Sequence, residues 1–251
     1  MDKNFWYLKN CDLFERLSQD QIAQVEQNSS VRQFGRGNLV YLPTESSDAV
    51  FLLLAGRIKL YHITGDGKQA LLALIEPGEL FGELAILGGG ERDEYAEAML
   101  KSTILRIPGN VIQELMQHHP EVSLGVTKLM GLRRQRVEQR LKSLLFRSNR
   151  DRLTYLLLDL AEKYGRLTQQ GVLINIKLSH QELASIIGST RETVTVLLGE
   201  MQDERSIEIQ KRQIILRKTQ HLAQTIDFKL TPALKAKPDQ SGEYMLKGAE
   251  A

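Results

Sequence analysis

The sequence predicts an α+β fold with three parts: a β-rich N-terminal roll, one long helix, and a small C-terminal domain built on two short helices. Three observations support this prediction. Short β-rich runs separated by Gly and Pro fill residues 31–107, an apolar three/four spacing extends along residues 120–145, and two amphipathic segments flank Gly188. The predicted domains are residues 1–118, 119–147 and 148–218, followed by a C-terminal extension at 219–251 with a disordered tail.

The composition limits the classes of protein that fit. Hydrophobic residues make up 42% of the 251 residues, which is enough for packed cores, and the net charge is only +2. Nucleic-acid binding therefore cannot be argued from bulk charge and needs local basic clusters. The N-terminus has no signal-peptide core, and no apolar run approaches the roughly 20 residues that span a bilayer. We expect a cytoplasmic protein without a membrane segment.

The N-terminal domain begins with apolar positions at near-helical spacing in residues 5–28, which predict one or two short helices. From Val31 the pattern changes to short strands at regular spacing, which is typical of a barrel, sandwich or roll. Gly65 and Gly67 indicate a hairpin between two of these strands. The predicted strands cover residues 31–34, 39–42, 50–54, 57–63, 70–75 and 95–107.

A glycine-rich region follows the fifth of these strands and contains candidates for binding an anionic effector. Backbone N–H groups in such loops, at the start of a short helix, can hold an anion. The candidate residues are Gly82, Glu83, Leu84, Arg92 and Asp93. The alternative is that the glycines only form turns and that Arg92 is a solvated loop charge.

Two helices are predicted after the strands. Asn110 is positioned to cap a short helix at residues 111–118, and Pro120 is favourable at the first position of a longer helix. Apolar residues at three/four spacing along the longer helix predict the seam of a homodimer formed through residues 120–146. They are Val122, Val126, Leu129, Val137, Leu141, Leu144 and Leu145.

Arg133 interrupts this seam and needs an anionic partner, because an unpaired guanidinium is costly to bury. Glu138 and a bound effector are the candidate partners, and an exposed basic helix face with one salt bridge is the other interpretation. His118 and His119 point to different helix faces, so we expect a solvated pair rather than a haem ligand. The single Cys11 excludes an iron–sulfur cluster held by four cysteines of one chain.

The second domain begins with an amphipathic helix at residues 151–164, ended by Gly165, and a strand at Val172–Lys177. Two further strands, at residues 206–210 and 213–217, flank Lys211 and Arg212. Two short strands joined by a basic turn after a pair of helices predict a winged helix.

Residues 178–198 predict two short helices around a glycine turn. Ser179 with Glu182, and Ser189 with Glu192, each have the spacing of a capping box. Gly188 can adopt the left-handed conformation that ends the first helix. This pattern is typical of a helix-turn-helix, although a helical hairpin with two good caps is the alternative.

Polar and basic residues of this motif and of the wing are candidates for contacts to the bases and phosphates of double-stranded DNA. They are Lys177, Ser179, His180, Ser189, Thr190, Arg191, Glu192, Thr193, Thr195, Lys211 and Arg212. A two-fold dimer presents two recognition helices about 34 Å apart, so we expect a palindromic operator.

The segment at residues 178–199 reads L-S-H-Q-E-L-A-S-I-I-G-S-T-R-E-T-V-T-V-L-L-G. It resembles the DNA-binding signature of the CRP/FNR superfamily of transcription regulators, and within it the cyanobacterial nitrogen regulators. The resemblance implies a cyclic-nucleotide-binding-type β-roll (a jelly roll), a dimerisation helix, a winged helix-turn-helix and contact with RNA polymerase. It also implies that Arg191 reads guanine and that Glu192 accepts from a cytosine amino group, unless Glu192 is held in its capping box. Many members have an Arg where this chain has Val196, which suggests altered base reading and a contact to a thymine methyl group.

The resemblance also bears on the effector. In cAMP-binding members a Glu contacts the ribose and an Arg-Ser pair holds the phosphate; Glu83 and Arg92 match, but Asp93 replaces the Ser. A carboxylate facing a phosphate is repulsive in a partly desolvated pocket. The Thr-Ser pair that holds the adenine in those members corresponds to Val137 and Glu138. Both departures predict that cAMP binds weakly or not at all.

The nitrogen regulators respond to 2-oxoglutarate, and their ligand-contacting residues correspond to Arg92, Arg133 and Glu138. Guanidinium groups pair well with carboxylates, so the candidate effector is a small anion, either 2-oxoglutarate-like or a cyclic nucleotide.

These residues together predict a dimeric, sequence-specific transcription regulator that an effector modulates through the β-roll. The alternative is a cyclic-nucleotide-type regulatory module that acts through protein partners, which would have no need of a winged helix. An enzyme is not expected, because the sequence contains no nucleophile–base pair, metal-ligand cluster or Walker-type loop.

Overall fold

The computed structural model describes residues 18–65, 67, 69–83, 90–210 and 213–235, which form two compact units divided between Arg136 and Val137. The first unit contains helix α1 (Gln19–Gln27) and a run of short strands. The strands are β1 (Ser30–Phe34), β2 (Leu39–Tyr41), β3 (Ala49–Ala55), β4 (Ile58–Ile63), β5 (Gln69–Ile75), β6 (Leu80–Phe81), β7 (Tyr95–Ala98) and β8 (Ser102–Pro108).

The eight strands form two antiparallel four-stranded sheets, with the orders β1-β8-β3-β6 and β2-β7-β4-β5. One apolar core contains side chains from both sheets, among them Tyr41, Phe51, Ile58 and Phe81. This confirms the predicted roll. The hairpin of β4 and β5 is where Gly65 and Gly67 predicted it. Strand β6 was not predicted, and the predicted run at 95–107 is divided into β7 and β8.

Strand β3 has an unbroken apolar run because both of its faces are buried. Its second face belongs to another core, which contains Ile22 of α1, Ile112 of helix α2 (Gly109–His118) and Val122 of helix α3 (Pro120–Phe146). The start of α3 at Pro120 confirms the prediction. The predicted Asn110 cap is wrong: α2 begins at Gly109, whose N–H donates to the Asp48 carbonyl at 2.8 Å.

The first part of α3 belongs to the core of its own chain. Val122 and Val126 are fully buried there, and Leu129 packs against the same cluster. Val122 and Val126 therefore do not belong to the predicted seam. From Leu132 to the end of the helix, the large apolar residues that remain exposed are Leu132, Val137, Leu141, Leu144, Leu145 and Phe146.

The second unit contains a four-stranded sheet with the order β11-β12-β10-β9 and several helices, which confirms the predicted winged helix. Its elements are α4 (Asn149–Tyr164), β9 (Gly165–Thr168), β10 (Gly171–Ile174), α5 (His180–Ile187), α6 (Arg191–Asp203), β11 (Ile207–Gln210), β12 (Gln213–Leu216), α7 (Thr219–Thr225) and α8 (Pro232–Lys235). Strand β9 was not predicted, and β10 ends before Lys177. None of the helices in the described part of the chain is long and apolar enough to cross a membrane.

The N-terminal half of the helix predicted at 5–28, and the tail after Lys235 that was predicted to be disordered, lie outside the described residues.

Candidate functional site

Helices α5 and α6 form the predicted helix-turn-helix. Ser179 and Glu182 make both hydrogen bonds of a capping box, as predicted. Gly188 ends α5 in the left-handed region, with φ 64° and ψ 48°. The Ser189 N–H then donates to the Ala184 carbonyl at 3.0 Å, as in a Schellman ending. The turn between the helices is therefore fixed by local hydrogen bonds.

The predicted capping box of Ser189 and Glu192 is wrong. The N-cap of α6 is Thr190, whose hydroxyl accepts from the Thr193 N–H at 3.2 Å. Because the ending of α5 uses the backbone of Ser189, the new helix starts one residue later than the sequence spacing suggested. Glu192 therefore occupies the second helical position, where it is exposed and does not cap the helix. The capping box, which was expected to compete with a base contact for the Glu192 carboxylate, is therefore not formed.

The two faces of α6 differ sharply. Val194, Leu198 and Met201 are buried in the second unit, whereas Arg191 and Glu192 are exposed next to each other at the N-terminal end. This end of a recognition helix is the part that reaches base edges in helix-turn-helix proteins. An exposed guanidinium and an exposed carboxylate suit the N7 and O6 acceptors of guanine and the amino donor of cytosine.

Several other predicted contact residues hold the motif together. The Thr195 hydroxyl donates to the Arg191 carbonyl at 2.8 Å, and His180 Nδ1 lies 2.8 Å from the Thr195 hydroxyl oxygen. A hydroxyl has one hydrogen, so Thr195 accepts from His180, which then carries a hydrogen on Nδ1. This bond joins the start of α5 to α6. Lys177 and Ser179 are exposed nearby.

Arg152 supports the turn from α4, and sequence reasoning did not assign it a role. Its guanidinium donates to the Ile187 carbonyl at 2.7 Å and to the Asn149 side chain at 2.6 Å. It thus satisfies a carbonyl at the C-terminal end of α5, where a cation is favourable. The signal in the sequence was a basic residue in an apolar helix, which alone does not identify its partner.

The wing consists of β11 and β12, and its tip residues Lys211 and Arg212 lie outside the described residues. At its base, Arg217 Nε donates to Glu208 at 2.6 Å. Hydrogen bonds from Gln210 and from Arg217 lower the pKa of the Glu208 carboxyl. Because Glu208 pairs with Arg217, this arginine contributes less positive charge to the wing than the sequence suggests.

The candidate effector region of the first unit centres on Arg92, which is only 6% exposed. Its guanidinium carbon lies 4.1 Å from the centre of the Tyr41 ring and 5.2 Å from that of Phe51. Its Nη2 donates to the Ala49 carbonyl at 2.7 Å. The interpretation of Arg92 as a solvated loop charge is therefore wrong.

The residues around Arg92 complete a polar cluster inside the roll. Tyr41 donates to Glu94 at 2.6 Å, and burial, followed by the Glu94 charge, raises the pKa of its hydroxyl. Glu83 is also buried, and Gly82 has a φ of 69°. Asp93 is exposed, and its carbonyl lies 3.0 Å from His62 Nδ1. Leu84 lies outside the described residues.

The remaining candidates belong to α3. The backbone of Arg133 is helical, and nothing is described of its side chain; Val137 and Glu138 are exposed. His118 Nδ1 lies 2.9 Å from the Glu114 carbonyl, whereas His119 contacts the Gln21 amide at 2.9 Å. In the described residues the two histidines thus have different protein partners.

Known proteins and domain families resemble both units. A cyclic nucleotide-binding domain matches residues 31–119, and a Crp-like helix-turn-helix domain matches residues 151–225. The global nitrogen regulator of a Nostoc species is 32% identical over 190 residues, which are 75% of this chain and 85% of that protein. The chain belongs to the CRP/FNR family of transcription regulators.

A further relative and a solved structure are also similar to this chain. The CRP-like cAMP-activated global transcriptional regulator of Mycobacterium tuberculosis is 25% identical over 218 residues, 86% of this chain and 96% of that protein. A CooA variant from Carboxydothermus hydrogenoformans has the same fold, with a TM-score of 0.71 and 24% identity over 90% of this chain and 97% of that chain.

Membership confirms a transcription regulator and not an enzyme. It also disfavours the alternative of a regulatory module that acts only through protein partners, because the Crp-like helix-turn-helix is present.

The enclosure of Arg92 gives a prediction for this CRP/FNR member. A Cβ added at Gly82 would lie 2.7 Å from Arg92 Nη1, and the substituted residue would have to keep the positive φ of this position. We expect Gly82→Ala to lower the free energy of unfolding by about 2 kcal/mol, from backbone strain and the displaced guanidinium. Urea unfolding measures this change.

Gly37→Ala is the matched control for this prediction. Gly37 has a φ of 83°, but no atom lies within 4 Å of its added Cβ, so that variant reports the backbone strain alone. Equal destabilisation by the two variants would contradict a tightly enclosed Arg92.

Proposed function

We propose that this protein is a cytoplasmic homodimer that binds a palindromic DNA operator, contacts RNA polymerase there, and responds to a small anionic effector other than cAMP. The observation that supports sequence-specific DNA binding is the exposed pair Arg191 and Glu192 at the N-terminal end of α6. The dimer forms through the C-terminal half of α3, where Val137, Leu141 and Leu145 are exposed. The described residues of a single chain leave these apolar side chains uncovered, and a second copy provides a partner for them.

DNA binding is tested by selecting an operator from random duplexes with the purified protein. We expect an inverted repeat whose half-sites are centred about one helical turn apart, because a two-fold dimer presents two recognition helices. Fluorescence anisotropy with the selected duplex then measures affinity. A selected sequence without two-fold symmetry would contradict the dimeric mode of binding.

Two features of the roll support a small carboxylate ligand over cAMP. The Arg92 guanidinium lies over the Tyr41 ring and its Nη2 donates to the Ala49 carbonyl, so one of its nitrogen donors is already engaged. Asp93 is an exposed carboxylate where cAMP-binding relatives have a hydroxyl, so it cannot donate the hydrogen bond that the hydroxyl gives to the cyclic phosphate. A dicarboxylate of the 2-oxoglutarate class can pair bidentately with one guanidinium edge. Arg133 and Glu138 are the candidate contacts from α3.

We expect 2-oxoglutarate to raise the melting temperature of the protein and cAMP to leave it unchanged. At ten times its Kd, a ligand stabilises by about 1.4 kcal/mol, which corresponds to a shift of about 3 °C for a protein of this size. A thermal-shift titration measures this. Glutarate, which lacks the 2-oxo group, is the control for general dicarboxylate binding. A shift with cAMP alone would overturn the proposed effector class.

A further inference from the structure

Val196 is the one large hydrophobic side chain that is strongly exposed in the described part of residues 149–235. It is 60% exposed, whereas the other large apolar residues described in this range are buried or half-buried. Exposing one such side chain is common on protein surfaces. Its position is the unusual feature, because it lies on α6, the helix that carries Arg191 and Glu192.

The helix geometry places Val196 on the same face as Glu192. The two residues are four positions apart and so lie one above the other along α6. Gly199 continues this face, and no heavy atom lies within 4 Å of the position that a Cβ would take there. Val194 and Leu198 lie on the opposite, buried face of α6. Among the described residues, none packs on Val196 in a way that would explain a valine at this position.

We propose that Val196 reads a thymine in each operator half-site through a van der Waals contact with its 5-methyl group. This inference rests on the proposed function. In the major groove the thymine methyl is the apolar feature of a base pair, and small apolar side chains contact it. Because residues four apart are about 6 Å apart along a helix, and base pairs rise by about 3.4 Å, this thymine lies roughly two base pairs from the pair that Glu192 contacts.

The test replaces each thymine of the selected operator by deoxyuridine, one position at a time, since this removes only the methyl group. We expect one position per half-site to weaken binding about 4-fold, and both positions together about 15-fold, as for one buried methyl group each. The base pair that Glu192 contacts is identified with Glu192→Ala, which relaxes the sequence preference at that pair. The distance of the sensitive thymine from this pair is then counted in base pairs. Fluorescence anisotropy with the full chain measures each affinity.

Two variants decide whether Val196 is the contact. Val196→Ala, whose side chain ends at Cβ, should lose most of the difference between the thymine and the deoxyuridine operators, whereas Val196→Thr, which keeps one γ-methyl group, should retain more of it. Val196 is exposed, so neither change disturbs the core, and circular dichroism melting checks the fold. If no operator can be selected, the proposed function fails. If an operator is bound but every deoxyuridine substitution is silent, or Val196→Ala keeps the full penalty, the Val196 contact alone is overturned.

Discussion

Replacing Arg191 by alanine is expected to weaken operator binding about 1000-fold while the fold and the dimer remain intact. A bidentate arginine contact to guanine contributes roughly 1–3 kcal/mol of discrimination, and a dimer loses it in both half-sites. Arg191 is the first residue of α6 and is exposed, and its carbonyl, which accepts from Thr195, remains after the change. Fluorescence anisotropy with the selected operator measures the loss, and sedimentation velocity checks the dimer.

Two matched variants separate base reading from charge. Arg36→Ala removes an exposed arginine from the turn between β1 and β2 and should leave operator affinity unchanged. Arg191→Lys keeps the positive charge but cannot form the planar bidentate contact, so it should lose most of the preference for guanine at the base pair that Arg191 contacts. Unchanged operator affinity of Arg191→Ala would exclude it as a base-reading residue.

In the turn of the helix-turn-helix, residue spacing predicted the motif but not the residue that caps α6. Ser189 and Thr190 are adjacent hydroxyl residues, and each has a polar residue three positions later, so either can be an N-cap. Spacing favoured Ser189 because Glu192 completes a capping box. The structure selects Thr190 because the left-handed Gly188 directs the Ser189 N–H back to Ala184. The motif was predictable, but the cap depends on how the preceding helix ends.

Gly165 ends helix α4 as predicted, but in an extended conformation, with φ −72° and ψ 144°. A Cβ there would lie 2.1 Å from the Ala161 carbonyl oxygen, so glycine is required by a close approach of backbone at the start of β9. Strand β9, which begins at Gly165, was not predicted because Gly165 was assigned only to the end of a helix.

The environment of Arg92 could not be predicted at all. The sequence identified the residue as a candidate, but its partners Tyr41, Ala49 and Phe51 come from strands β2 and β3, more than forty positions away. Pairing in an antiparallel roll joins segments that are distant in sequence, and side-chain spacing within one strand carries no information about them.

Replacing Leu141 by lysine is expected to raise the dissociation constant of the dimer at least about 100-fold. Leu141 is 54% exposed in the single chain, and Val137 and Leu145 are exposed four positions before and after it. These residues form one apolar stripe on α3, which a second copy covers in the proposed dimer. In a symmetric dimer the variant loses two buried leucine side chains, each contributing about 1.5–3 kcal/mol, and brings two ammonium groups close to the two-fold axis.

Sedimentation velocity over a range of concentrations measures this change. Leu72→Lys is the matched control, since Leu72 on β5 is 48% exposed and lies outside α3. A Leu141→Lys protein that remains dimeric at the concentrations where the unmodified protein does would contradict the stripe as the interface. Because a monomer engages one half-site only, this variant should also lose operator affinity although its Arg191 is intact. It thereby differs from Arg191→Ala, which should lose base reading and keep the dimer.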